Sequence, residues 1–223
     1  PIRPSRSTAS RRWQASASEA PGKPRSQDIE GRNGRAGALR RHRIRLMETN
    51  MKIVLETESR TPAVEKLVAE AFGPDRFAKT VYRLREGVEH DTPLALVAVD
   101  NGEVVGTLRF WPIEIDGTPA LLLGPLVTAP SRQGKGVGSR LMHAGLARAA
   151  AQGHRIVVLV GDEPYYRRFG FTRALARRLE LPGWVDPTRF LARELVAGAL
   201  SGVSGMIGRP REVAQAESAR NAA

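Results

Sequence analysis

The chain has 223 residues, 41% of them hydrophobic and 26% charged, with a formal net charge of +12 at pH 7, which suits one globular domain with tails. No apolar run is long enough to span a membrane and no secretory signal is visible, so the sequence argues against a membrane protein. The expected location is cytoplasmic, and the absence of cysteine is compatible with a reducing cytosol. Because cysteine is absent and the four histidines have no metal-ligand spacing, the sequence excludes disulfide bonds and predicts no metal site.

Residues 1–46 carry most of the net charge. They contain twelve Lys or Arg against three acidic residues, which accounts for +9 of the chain's +12. Their richness in Arg, Ser, Pro and Gly, without apolar periodicity, predicts a disordered basic N-terminal arm. Such an arm could bind nucleic acid, act as a transit peptide, or be upstream sequence before a native start at Met47 or Met51. We favour the last interpretation, because Trp13 is the arm's only aromatic residue and offers little base stacking.

A short strand and two helices are expected next. Residues 53–55 read as the strand, and Thr61-Pro62 reads as a helix start because proline suits the first helical position. Apolar residues then recur with helical spacing until Gly73-Pro74 ends the helix. A second helix closes at Gly87. Its basic outer face is expected to be solvated and consists of Arg76, Lys79, Arg83 and Arg85.

Two tight turns organise the following segment. Residues 94–99 and 103–115 are predicted to form the two strands of a hairpin, and Asn101-Gly102 between them supplies the positive φ angles of its turn. Asp116-Gly117 then turns the chain into an apolar run at residues 121–127. That run has the pattern of a central strand buried on both faces. Because Gly124-Pro125 interrupts it, we expect the strand to part from a neighbour and leave backbone groups free for a ligand.

A glycine-rich loop, residues 133–138, leads from this strand into a helix beginning near Val137. Exposed amides and the positive end of the helix dipole make such a loop an anion site, and a diphosphate is the expected ligand. A Walker loop is excluded because Gly136, not Ser or Thr, follows Lys135. The dinucleotide fingerprint fits poorly, since Ser139 stands where its third glycine belongs.

The remaining pattern alternates helix and strand. The helix stops at Gly153, and the β-branched run at residues 156–160 predicts a second interior strand, parallel to the first. About a turn and a half of helix follows, ending at Gly170, and leads into a strand at Phe171. Residues 189–196 read as the last strand. From Ala197 the composition predicts a loosely attached or disordered tail.

Two motifs resemble those of the GNAT superfamily of N-acetyltransferases. Gln133, Gly136 and Gly138 fit its acetyl-CoA pyrophosphate loop, and Tyr166, separated by three residues from Gly170-Phe171, fits its second motif. The resemblance covers residues 52–200. The endings at residues 193–195 and 198–200 further resemble a bacterial subgroup of predicted N-acetyltransferases.

The resemblance implies a single α/β domain over residues 47–200, with a mixed sheet splayed at the acetyl-CoA site, helices on both faces and a tail at residues 201–223. It also implies a set of acetyl-CoA-binding residues. They are Leu126, Val127, Thr128, Gln133, Gly134, Lys135, Gly136, Val137, Gly138 and Ser139.

The implied chemistry is direct attack of a neutral amine on the thioester of acetyl-CoA, with the Tyr166 hydroxyl assisting the departing thiolate. Helical spacing assigns Tyr165 and Phe169 to the core instead. The family carboxylate on the central strand is missing, so the general base stays open between a water chain and four carboxylates. These are Glu103, Glu114, Asp162 and Glu163.

The function expected is therefore acetyl transfer from acetyl-CoA to an amine acceptor. A noncatalytic acyl-CoA sensor on the same fold is the main alternative, and nucleic-acid binding through the basic arm is a weaker one. The sequence leaves the acceptor open among small amines, amino-acid derivatives, protein N-termini and lysines, and it predicts no oligomeric state.

Overall fold

The computed structural model describes residues 50–221, so the predicted arm at residues 1–46 lies outside the described part of the chain. The strands are β1 Lys52–Leu55, β2 Leu96–Asp100, β3 Glu103–Ile115, β4 Thr118–Thr128, β5 Ile156–Val160, β6 Leu179–Glu180, β7 Phe190–Glu194 and β8 Gly205–Gly208. The helices are α1 Thr61–Phe72, α2 Thr80–Arg83, α3 Val137–Ala151, α4 Glu163–Tyr166 and α5 Arg211–Asn221. No helix within residues 50–221 has the length and apolarity needed to cross a membrane.

One mixed sheet organises the domain, in the order β1-β2-β3-β4-β5-β7. Strands β1 to β4 are antiparallel neighbours, whereas β5 runs parallel to β4 because α3 connects them across the sheet. The mixed α/β architecture and the parallel pairing that the sequence predicted are thus confirmed.

The two predicted turns have the expected backbone. Asn101 and Gly102 have φ angles of 51° and 86°, and Asp116 and Gly117 have φ angles of 44° and 84°. These values match the left-handed pair that a right-twisted hairpin needs. The turns hold β2, β3 and β4 in register, which carries β4 into the middle of the sheet.

Helices cover both faces of the sheet. On one face α3 lies close to β3, since a Cβ atom on Gly145 would stand 2.6 Å from Leu108 Cδ2 and 2.9 Å from the Phe110 ring. Side chains alternate along a strand, so Arg109 faces the opposite side, where its Nη1 atom lies 2.6 Å from Glu65 Oε1 of α1. Helices α3 and α1 therefore pack on opposite faces of the sheet.

Two sequence predictions for the periphery are wrong. The second helix is only α2, preceded by the 3-10 turn Pro74–Ala78. No strand forms at Phe171, where a single bridge joins Thr172 to Ala192.

The segment from Ala197 is also more ordered than predicted. Strand β8 pairs with β3 through Ile115 and Ile207, and Ile207 is fully buried. The segment is attached to the core by buried Ile207 and Ala199 and by a second pairing of β8 with β6.

Candidate active site

Strands β4 and β5 separate in the middle of the sheet. They pair only at Leu121 with Val157 and at Leu122 with Val158, while β5 continues along β7 to Val160. Beyond Leu122, no strand within residues 50–221 pairs with this edge of β4. The separation predicted from the sequence is confirmed, and it leaves backbone hydrogen-bonding groups of β4 available to a ligand.

A bulge in β4 marks the point of separation. Opposite β3, Leu126 pairs with Leu108 and Leu123 with Phe110, so Gly124 and Pro125 stand against one residue, Arg109. The indole Nε1 of Trp111 donates to the Gly124 carbonyl oxygen at 2.6 Å. A bulge bends its strand locally, which fits the departure of β4 from β5 at this point. The Trp111 hydrogen bond holds the bulge in place.

The loop that follows β4, residues 133–139, is tied to the sheet at its base. Arg132 Nη2 lies 2.7 Å from the buried carboxylate of Asp100, at the β2–β3 turn. Lys135 Nζ donates to the Ser131 carbonyl at 3.0 Å, and Gln133 Nε2 donates weakly to the Thr128 carbonyl at 3.5 Å. These contacts give the loop a defined shape.

Its backbone presents unpaired amides to an open space. Gly134 and Gly136 have φ angles of 72° and 78°, and no atom lies within 4 Å of where their Cβ atoms would be. The first bond within α3 is from Arg140 N to Gly136 O. Within the described residues, the N–H groups of Val137, Gly138 and Ser139 consequently have no hydrogen-bond partner. Three free amides at the positive end of a fifteen-residue helix fit a diphosphate.

The other predicted binding residues contribute in different ways. Leu126 and Thr128 are half-buried and Val127 is buried, whereas the side chains from Gln133 to Lys135 are exposed. Val137 points its side chain into the core, 3.0 Å from where a Cβ of Gly106 would be, so only its backbone faces the loop.

Tyr166 lies at the end of β5, where β4 and β5 have parted. Its ring covers Gly161 so closely that a Cβ there would overlap the ring, and it packs edge-on against Phe171 at 6.1 Å. Its hydroxyl has no hydrogen-bond partner among residues 50–221. Burial raises the pKa of Tyr166, and Tyr165 and Asp162 add to that rise, so the phenol stays protonated and can donate.

Tyr165 differs from its predicted role in the core. Its ring does pack near Phe169, at 5.6 Å, but its hydroxyl would stand only 2.8 Å from a Cβ on Gly138. Burial raises the pKa of Tyr165, and neighbouring Arg168 and Ser139 oppose the rise. The adjacent tyrosines therefore lie against different parts of the site. The Tyr165 hydroxyl lies beside Gly138 of the glycine loop, and the Tyr166 ring lies over Gly161 at the end of β5.

A cavity of about 280 Å³ lies on the α1 side of the bulge. We call it the acceptor cavity, and its lining residues are Glu65, Val68, Arg76, Phe77, Tyr82, Arg85, Glu86, Arg109, Trp111 and Pro125. The sequence did not reveal it, because its walls come from five separate segments. Arg85, predicted to lie on a solvated outer face, is part of its wall.

An ion-paired cluster supports the cavity wall. Arg109 donates from Nε to Glu56 Oε2 at 2.8 Å and from Nη1 to Glu65 Oε1 at 2.6 Å. Burial alone would raise the pKa of Glu56, but hydrogen bonding to Arg109 and the Arg109 charge outweigh it and hold the pKa below its ordinary value. Glu56 is buried and Glu65 is half-exposed, so of these two carboxylates Glu65 is the one that lines the cavity.

None of the four carboxylates considered as a base from the sequence lines this cavity. Asp162 pairs with Arg189 at 3.1 Å, Glu163 with Arg167 at 3.4 Å, and Glu114 with Arg211 at 3.5 Å. Glu103 is exposed at the start of β3. The two carboxylates that do line the cavity are Glu65 and Glu86.

Comparison with known proteins identifies this arrangement. A family profile described as an acetyltransferase (GNAT) domain matches residues 52–174. The chain is 32% identical over 160 residues to the uncharacterized N-acetyltransferase YhbS of Escherichia coli K12, covering 70% of this chain and 95% of YhbS. It is also 32% identical over 112 residues to the uncharacterized N-acetyltransferase YjhQ of that strain, covering 48% of this chain and 62% of YjhQ.

The fold agrees with these sequence matches. The crystal structure of the GNAT family N-acetyltransferase YhbS from Escherichia coli in complex with CoA has a TM-score of 0.62 and 30% identity. That match covers 73% of this chain and 91% of the YhbS chain. With its separated central strands, its glycine loop at the start of α3 and its matching profile, the chain belongs to the GNAT family of acetyltransferases.

Proposed function

We propose that this protein transfers an acetyl group from acetyl-CoA to the amine of an acceptor by direct attack. The observation that carries the proposal is the separation of β4 and β5 after Leu122, with the glycine loop following β4 and a partly open cavity beside Pro125. A site of this form lets two substrates meet at the β4 bulge from opposite sides.

The glycine loop and the free edge of β4 are the groups that we assign to CoA. The free amides of Val137, Gly138 and Ser139 would hold the pyrophosphate, and the unpaired edge of β4 at Leu126 to Thr128 would hold the pantetheine arm. The relative YhbS from Escherichia coli, solved in complex with CoA, supports this assignment.

In the reaction, acetyl-CoA supplies an activated thioester. The amine nitrogen bonds to its carbonyl carbon, the carbon–sulfur bond breaks, and the sulfur leaves as a thiolate. A backbone N–H of β4 near Leu126 polarises the carbonyl, a contribution of about 3 kcal/mol per donor in comparable sites. The unbonded hydroxyl of Tyr166 donates to the thiolate as it forms.

The acceptor amine reaches the thioester in its neutral form and therefore gives up a proton. Glu65 and Glu86 line the acceptor cavity and can take up that proton, directly or through water. Glu65 is already held by Arg109, whereas no ion pair to Glu86 is found within the described residues.

The test is a screen of amines for acetyl-CoA-dependent release of free thiol, with each product checked for an added acetyl group. We expect at least one class of small amine to be turned over. Binding of acetyl-CoA without thiol release from any amine would instead favour a noncatalytic acyl-CoA sensor.

A further inference from the structure

Arg85 occupies an unusual position in the wall of the acceptor cavity. Its guanidinium carbon lies 4.8 Å from the ring centroid of Tyr82 and 5.3 Å from that of Trp111, so the two rings hold it by cation–π contacts. A Cβ atom on Gly124 would stand 3.1 Å from Arg85 Nη2. The positive charge is therefore fixed beside the β4 bulge, where the proposed transfer takes place.

No anion within residues 50–221 neutralises this charge. Arg109 in the same cavity binds two carboxylates, but Arg85 forms no ion pair, and its buried Nε has no hydrogen-bond partner. Burial lowers the pKa of Arg85 to about 10, and Tyr82 partly opposes that change, so the guanidinium remains charged at neutral pH. Arg85 is half-buried, and its Nε atom is fully shielded from water. A partly desolvated cation with an unused donor is costly unless an anion pairs with it.

We propose that Arg85 binds the carboxylate of the acceptor, and hence that the acceptor is a small, amino-acid-like amine rather than a lysine of a protein. The planar guanidinium suits a carboxylate, which it can bind through two parallel hydrogen bonds. The cavity, about 280 Å³, suits a small molecule, and Phe77, Tyr82 and Trp111 offer apolar walls to its carbon skeleton.

The charges that face Arg85 are consistent with this assignment. Glu65 in the same cavity is bound to Arg109, and the carboxylate of Glu86 belongs to an exposed residue. Arg76 adds a second positive charge to the lining and donates to the Gly73 carbonyl at 2.9 Å. Arg85 and Arg76 are thus two guanidinium groups of the cavity lining that form no ion pair with a protein carboxylate among the described residues.

The inference rests on the proposed acetyl transfer, so the test compares matched acceptors. Amino acids with small and aromatic side chains are paired with the corresponding decarboxylated amines, and kcat/KM is measured by thiol release. We expect the carboxylate-bearing member of the best pair to be preferred by about 10²-fold or more. Arg85→Met should remove the preference while keeping a side chain of similar length, and Arg85→Lys should retain part of it.

Arg83→Met is the matched control, because Arg83 is two residues away, exposed and outside the cavity lining. It should keep the preference of the wild type. If the decarboxylated amines are turned over as well as their partners, or Arg85→Met leaves the preference unchanged, the inference is wrong although the acetyl-transfer proposal stands.

A binding measurement tests the same inference without turnover. Calorimetric titration with CoA present compares an N-acetyl amino acid with the N-acetyl amine that lacks its carboxylate. We expect the wild type and Arg83→Met to bind the carboxylate form at least about tenfold more tightly, and Arg85→Met to lose that difference. Equal binding of the two forms, or no binding of either, would overturn the role of Arg85. Absence of thiol release together with absence of CoA binding would instead reject the proposed function.

Discussion

Replacement of Tyr166 by phenylalanine isolates the hydroxyl that we assign to the departing thiolate. The ring fills the space over Gly161 and contacts Phe171, and phenylalanine preserves both. Because the hydroxyl has no partner within the described residues, its loss should change the free energy of unfolding by less than about 1 kcal/mol. The substitution therefore tests chemistry with little effect on folding.

The expected effect on rate follows from the chemistry of the two groups. A model thiol has a pKa of about 8.5 and a model tyrosine about 10, and burial raises the pKa of Tyr166 further. Complete proton transfer before the carbon–sulfur bond breaks would run uphill, so the hydroxyl acts first as a hydrogen-bond donor. Loss of one such donor should lower kcat by ~10²-fold or more, about 2.7 kcal/mol of transition-state stabilisation.

The assay is thiol release at saturating acetyl-CoA, with cosubstrate affinity measured separately by thermal shift. Tyr165→Phe is the matched control, because the Tyr165 hydroxyl lies by Gly138 of the diphosphate loop. It should have a much milder effect on kcat and act mainly on acetyl-CoA affinity. Full turnover by Tyr166→Phe, with chemistry shown to limit the rate, would refute the assigned role.

Three further predictions address the cosubstrate loop, the buried charges and the N-terminal segment. Gly136→Asp puts a strained, negatively charged residue where an anion should bind, and should abolish the stabilisation of about 2.7 kcal/mol expected at a hundred times the dissociation constant of acetyl-CoA. Gly153→Asp, with φ of 86° at the far end of α3, should leave that thermal shift intact. Arg109→Met leaves the buried carboxylate of Glu56 unpaired and should cost about 3–5 kcal/mol at pH 7 in chemical denaturation. Arg109 lowers the pKa of Glu56 in the folded protein, so this ion pair stabilises the fold above the unfolded pKa of Glu56 and ceases to do so as pH falls through the folded pKa. The difference in unfolding free energy between wild type and Arg109→Met should therefore shrink in acid. A difference that does not change with pH would contradict this. A chain beginning at Met47 should stay soluble and keep its acetyl-CoA shift, which a thermal-shift comparison with the full chain checks.

The parts of the fold that the sequence predicted are those with local physical causes. Asn101-Gly102 and Asp116-Gly117 turn the chain because their backbones accept positive φ angles, and α1 runs from Thr61-Pro62 to Gly73 because proline starts helices and glycine ends them. The same holds for the diphosphate loop, whose amides are exposed by its own glycines.

The missed parts depend on contacts between distant residues. Strand β8 forms because Ile207 pairs with β3. The four residues of β8 have too weak a hydrophobic pattern for this pairing to be predicted from the sequence. Arg85 looked like one more surface charge, and only the placement of Tyr82 and Trp111 shows that it is enclosed. The acceptor cavity was missed for the same reason, since its walls meet only in the folded chain.

The most direct test of acetyl transfer is a stoichiometric measurement on the whole protein with acetyl-CoA and the best amine from the screen. The account predicts one free CoA thiol for each amine that gains an acetyl group, with both signals lost in Gly136→Asp. If wild-type protein binds acetyl-CoA, yet thiol release stays at the level of buffer with every amine tested, the protein is not an acetyltransferase for these amines and the central claim fails.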